Sequence, residues 1–218
     1  MRERYAIVHC MSSLTLFIDL CSHQKIIALV DEKKTTALAE IPDHTDEADL
    51  MPAIERLLKS VGTTTGDIGC IAVISGPGGF MSQRVAMSLA NALSWSLKIP
   101  IAGIHLSDLW LARLPKPSTP NTQPFLWLHS TQKSSLFIRG FGSLKKIWAE
   151  PMLISFENAT MQIPKESLFV GELIPEHEAA LGMKPVEKIL SIEDVLPELC
   201  EKLSYVEPPI LPWYGRGI

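Results

Sequence analysis

The sequence is poor in the signals that usually carry chemistry. Aromatic residues make up 7% of the 218-residue chain, and there are four cysteines and six histidines. Cys10, Cys21, Cys70 and Cys200 show no CxxC spacing, which excludes a local zinc or redox motif and points to buried thiols in a reducing compartment. His9, His23, His44, His105, His129 and His177 form no HxxxH or HExxH pattern, so no metal site is expected. There is no GxSxG elbow and no Gly-Lys-Ser/Thr after a glycine loop, so neither a hydrolase nucleophile nor a Walker site is written locally. Positive charge is not in excess: the formal net charge of −4 excludes a chain that binds nucleic acid by its own basic field. No apolar run reaches about 18 residues, so no membrane-spanning helix is expected. The basic start lacks a long apolar core and a small-residue cleavage site, so no signal peptide is expected and a cytoplasmic location is.

What is present is a globular composition, 46% hydrophobic and 20% charged, with length for one large domain or two small ones. The most specific stretch runs from Ile71 to Leu97. An apolar strand (71–74) enters the turn Ser75-Gly76-Pro77-Gly78-Gly79-Phe80 and then a helix (82–97). The glycines permit positive φ and close approach, while a strand–turn–helix junction points free N–H groups outward. Spacing alone leaves two readings for Gly76, Pro77, Gly78, Gly79 and Phe80: a tight structural turn, or an anion site. At 100° per residue, Val85, Ala86, Leu89, Ala90, Ala92, Leu93 and Leu97 share the side expected to face the core. Arg84, Met87, Ser88, Asn91, Ser94 and Trp95 share the other, which carries one formal charge. Such a face is covered by the same chain or by a partner protein, and Met, Trp and Arg favour interfaces.

Around this stretch the pattern predicts an antiparallel meander of three strands (14–19, 25–30, 34–41). A helix over 46–59 follows, with Leu50, Ile54 and Leu57 on its apolar stripe and Pro52 either starting or kinking it. A strand (99–104) and a short helix (107–113) close the first half. The order β-β-β-α-β-α-β-α predicts a mixed sheet flanked by helices. Pro115 to Pro124 reads as a proline-rich connector and the domain boundary. This divides the chain into an N-terminal extension (1–13), a first subdomain (14–114), the connector (115–124) and a second subdomain with tail (125–218). In the second, strands are predicted at 125–129, 134–141, 145–149 and 168–171, and helices at 176–181 and 192–203, the last broken or started by Pro197. The proline-rich, aromatic tail (208–216) is expected to pack back onto the body. Asp19, ending the first strand, reads as a cleft acid or as a turn cap. Asp19 with Asp108, and Ser75 beside Gly76, are the weak catalytic alternatives.

Several segments carry a family resemblance. SGPGGFMSQRVAMSLANALSWSLKIPIAGIHLSDLWLA is similar to the GPGSFTGLR turn and following helix of the TsaB (YeaZ) family. LFIDLCS resembles that family's first strand and HTDEADLMPAIERLL its first helix; LFVGEL and PILPWYGR resemble its later strand and closing segment. The likeness covers most of the first 113 residues and the rest thinly. It implies an actin-like ATPase fold (ASKHA, ribonuclease H-like) of α/β class, with two mixed-sheet halves, the second reduced. It further implies a non-catalytic scaffold for a TsaD-like transferase that makes threonylcarbamoyladenosine in tRNA, with a TsaE-like ATPase and a homodimer as further partners. ATP and metal are then expected on the partner subunits, none on this chain alone, and tRNA only through the complex. The implied partner-binding residues are Leu50, Ile54, Leu57, Arg84, Met87, Ser88, Asn91, Ser94 and Trp95. The sequence departs from the family at Gly79, Met81, Ser82 and Gln83 in the turn, at Leu20-Cys21-Ser22 after Asp19, and at His129-Ser130-Thr131-Gln132. The alternatives are an actin-like-fold enzyme (kinase or peptidase relative) and a homodimeric binding module with a changed partner.

Overall fold

A computed structural model describes residues 14–43, 45–115 and 124–215. The expected N-terminal extension, Cys10, His9, His44, most of the connector and the last three residues lie outside these. The chain divides into two compact units. Unit 1 is Met1–His105 with Ser191–Pro212, and unit 2 is Leu106–Leu190 with Trp213–Ile218. This corrects the boundary read from composition. The division falls at His105/Leu106, and the segment from Ser191 to Pro212 returns to unit 1.

Unit 1 opens with the predicted meander, β1 (Thr15–Asp19), β2 (Ile26–Val30) and β3 (Thr35–Glu40), paired antiparallel. β4 (Cys70–Gly76) lies parallel to β1, and β5 (Ile101–His105) parallel to β4. The sheet order is β3-β2-β1-β4-β5. β1 and β2 are buried at every position, which is why they read as continuous apolar runs without alternation. α1 (Leu50–Ser60) lays Leu50, Ala53, Ile54, Leu57 and Leu58 into this core. Pro52 stands in its first turn, where a missing N–H costs no intrahelical bond. α2 (Phe80–Leu97) makes the crossover from β4 to β5.

In unit 2, β6 (Phe125–Gln132), β7 (Ser135–Phe141) and β8 (Met152–Ser155) form a second antiparallel meander. β9 (Leu168–Glu172) runs parallel to β6, and β10 (Lys184–Pro185) parallel to β9. Read from the other edge, β8-β7-β6-β9-β10 repeats the wiring of β3-β2-β1-β4-β5. These are the two mixed-sheet halves of the actin-like fold. The second is reduced at β10, which has two residues.

α3 (Leu106–Ala112), α4 (Phe156–Gln162) and α5 (Pro175–Leu181) belong to unit 2, and α6 (Ile192–Glu201) to unit 1. The strand expected at 145–149 is instead a 3-10 turn (Gly142–Lys146). Gly142 takes a φ of 61°, Gly140 N–H donates to the Trp148 carbonyl at 2.7 Å, and Trp148 is buried, so a closed loop wins over extension. β8 and α4 were not expected, because the half-exposed residues Met152–Ser155 give no clean alternation. Pro197 neither breaks nor starts α6. The Glu193 carbonyl, which a residue-197 N–H would have served, accepts instead from the Thr35 hydroxyl at 2.8 Å. Cys70 is disulfide-bonded, which corrects the expectation of four free thiols; Cys21 and Cys200 are free and buried.

Candidate functional site

The glycine turn is built by packing within unit 1. Gly76 has a φ of 131°, and its bond to Pro77 is cis. A Cβ on Gly78 would stand 2.7 Å from both Cα and Cβ of Cys21, so only glycine lets the two loops meet. Gly79 is the N-cap of α2, and its carbonyl accepts the Gln83 N–H at 2.9 Å. The Gln83 side-chain amide reaches back to the Ser75 carbonyl at 2.7 Å, tying the first turn of the helix to the end of β4. Two of the departures from the family pattern, Gly79 and Gln83, thus have internal jobs here.

The candidate catalytic groups are likewise engaged. Asp19 is fully buried; its Oδ1 accepts the N–H groups of Cys21 (2.8 Å) and Ser22 (3.0 Å), and the Ser22 hydroxyl donates to Oδ2. It caps the turn after β1. Ser75 Oγ donates to the Ile104 carbonyl at 3.1 Å. Asp108 pairs with Arg139 at 2.6 Å within unit 2. Burial, and then the Asp19 charge, push the Cys21 thiol well above its usual range, and burial pushes Cys200 up to about 12, so neither is a thiolate at neutral pH. In unit 2, His177 Nε2 lies 2.9 Å from the Lys133 carbonyl with its ring stacked on Phe156, and His129 is buried with Nδ1 3.5 Å from the Glu172 carboxylate. Ser130, in the place of the family motif, accepts the Ile174 N–H at 2.9 Å.

α2 lies rotated from its predicted orientation by about 75° at 100° per residue. Its buried residues are Gln83, Ala86, Met87, Ala90, Leu93 and Ser94, whereas Ala92 is exposed and Val85 half-buried. The predicted set failed at the polar positions. Gln83 and Ser94 point inward because each satisfies a backbone carbonyl at one end of the helix, Ser75 for Gln83 and Ile99 for Ser94. Met87 follows them into the core. Of the expected partner-binding residues, Leu50, Ile54, Leu57, Met87 and Ser94 are therefore buried in the chain's own unit 1. Asn91 is half-buried, with both ends of its carboxamide on Ile210. Arg84, Ser88 and Trp95 remain on the outer face.

That face also holds two residues the sequence reading did not assign to the helix. α2 begins at Phe80, two residues earlier than predicted, which brings Phe80 and Met81 onto it. Phe80 is 59% exposed, Met81 58% and Trp95 76%. The Arg84 guanidinium lies over the Phe80 ring at 5.3 Å. A groove of about 330 Å³ runs alongside, between Glu47 and Leu50 on one side and Met81, Arg84, Val85 and Ser88 on the other. An apolar outer face with one charge in 18 residues has the composition of an interface core.

A family model described as TsaD, tRNA N6-adenosine threonylcarbamoyltransferase, matches residues 40–181. The chain belongs to this family. Over part of its length it is similar to proteins named TsaB. It is 33% identical over 94 residues to the tRNA threonylcarbamoyladenosine biosynthesis protein TsaB of Buchnera aphidicola subsp. Schizaphis graminum, covering 43% of this chain and 45% of that protein. It is 35% identical over 94 residues to TsaB of Bacillus subtilis, covering 41% and 39%. It is also 35% identical over 95 residues to the tRNA N6-adenosine threonylcarbamoyltransferase of Syntrophus aciditrophicus, covering 43% and 28%. The chain thus spans less than half the length of these relatives. YeaZ from Pseudomonas aeruginosa superposes with a TM-score of 0.66 at 17% identity, covering 93% of this chain and 99% of that one. A Pseudomonas aeruginosa protein described as similar to peptidase YEAZ gives 0.68 at 16% identity, covering 94% and 100%. These two likenesses show that the fold is shared over more than nine-tenths of the chain.

Proposed function

We propose that the chain is a non-catalytic subunit of the tRNA N6-threonylcarbamoyladenosine synthase, which docks a TsaD-like transferase on the outer face of α2 and holds it in its active arrangement. The observation that carries this reading is the face itself: Phe80, Met81 and Trp95 stand exposed beside Arg84 on a helix with no other charge. Burying such side chains on a partner contributes roughly 1.5–3 kcal/mol each. The engagement of Asp19, Ser75 and Asp108 in internal hydrogen bonds and ion pairs supports a scaffold over an enzyme. In this reading ATP and metal sit on the partner subunits, the work is cytoplasmic, tRNA is met only within the complex, and a TsaE-like ATPase or a second copy of the chain are further occupants of the assembly. The test is co-expression with a TsaD-like protein and mass-spectrometric measurement of the modified nucleoside in tRNA. Modification that depends on both chains is expected; full modification without this chain contradicts the proposal.

A further inference from the structure

The docking reading leaves the C-terminal segment of unit 1 without a role. Tyr205 is buried, and its hydroxyl donates to the Cys200 carbonyl at 3.2 Å. Val206 then exchanges two backbone hydrogen bonds with Ile101, each 2.9 Å, and so lies antiparallel on the edge of β5. Four residues on, Ile210 reaches α2. Asn91 Nδ2 donates to the Ile210 carbonyl at 2.9 Å, and Asn91 Oδ1 accepts the Ile210 N–H at 2.9 Å. One carboxamide completes both backbone groups of one residue, as a neighbouring strand would. Pro208, Pro209 and Pro212 leave only Ile210 and Leu211 with N–H groups in this stretch, so Asn91 captures one of the two available. The Ile210 side chain uses the space above Gly103, where a Cβ would stand 3.2 Å from its Cδ1.

Asn91 sits three residues after Ser88 and four before Trp95, on the rim of the exposed face. The residue after the clamp, Leu211, is 68% exposed and follows directly on Ile210, whose backbone Asn91 holds. We infer that Asn91 is a positioning residue that latches the C-terminal segment onto α2, and that Leu211 thereby forms part of the surface that docks the TsaD-like partner. The docking role of Leu211 rests on the proposed function; the latch does not.

The experiment compares the full chain with N91A, L211D and W95E by amide hydrogen exchange at Ile210 and by affinity for the TsaD-like partner. N91A is expected to speed exchange at Ile210 and to weaken the partner, each about tenfold. L211D is expected to weaken the partner to a similar degree with Ile210 protection and the thermal midpoint unchanged, which keeps the docking role testable if N91A folds poorly. Wild-type exchange at Ile210 in N91A overturns the latch. Wild-type affinity in L211D, with binding lost in W95E, overturns the role of Leu211 and leaves the docking reading standing. Wild-type affinity in W95E overturns the docking reading and the role of Leu211 with it, while exchange at Ile210 still decides the latch.

Discussion

At the scale of single residues, the turn before α2 is held by steric and hydrogen-bond demands that leave little freedom. A Cβ at Gly78 would stand 2.7 Å from both Cα and Cβ of Cys21, so Gly78→Ala forces two loops apart. It is expected to cost about 1–3 kcal/mol, read as a lowered urea midpoint. Asp67 gives a pH-dependent case. Its carboxylate accepts the Thr64 N–H and hydroxyl, both at 2.8 Å, and these bonds, the backbone one first, hold its carboxyl below the usual range. A folded-state value that is depressed stabilises the fold above the unfolded value of about 3.9, and this contribution is lost as pH falls through the folded value. The stability gap between wild type and Asp67→Ala should therefore narrow from pH 7 to pH 3 in denaturant titrations. A constant gap would mean that the carboxylate's charge plays no part. The sequence already carried the structural reading of the glycine turn and of Asp19 as a turn cap. It did not carry the partners of Gln83, Ser94 and Asn91, because a polar side chain that turns inward to serve a carbonyl has the same letter as one that faces water.

At the scale of elements, α2 divides into a face for the chain and a face for a partner, and the two respond differently to the same substitution. Met87 is 3% exposed in the unit 1 core, so Met87→Glu buries an unpaired carboxylate and is expected to destabilise by about 3–5 kcal/mol or abolish folding. Trp95 is 76% exposed, so Trp95→Glu should leave the thermal midpoint within the range of ordinary surface changes, about 0.5 kcal/mol. Equal midpoints for the two variants would contradict the rotation of α2. The strands and helices of unit 1 were legible in sequence because β1, β2 and β4 are apolar runs and α1 has one clean stripe. The rotation of α2 was not, since its small residues Ala86, Ala90 and Ala92 weigh little in any periodicity. β8 and α4 were missed for a related reason: short, half-exposed elements leave weak patterns.

At the scale of the whole molecule, two units with the same strand wiring mark the chain as an actin-like fold, and its family is that of TsaD. The repeat was visible in sequence only as a resemblance, because unit 2 keeps the topology with different residues and a β10 of two. The return of Ser191–Pro212 to unit 1 was invisible, since no local pattern records which core a C-terminal helix joins. If the chain acts as a scaffold, calorimetric titration of the isolated protein with Mg-ATP should give no binding heat, while a saturable isotherm would favour the actin-like enzyme reading. The central claim, that the outer face of α2 docks the TsaD-like partner, is tested most directly by the dissociation constant of that partner for wild type and Trp95→Glu. A loss of about 30-fold or more, with the thermal midpoint unchanged, is the predicted result. Equal affinity for the two proteins would contradict it.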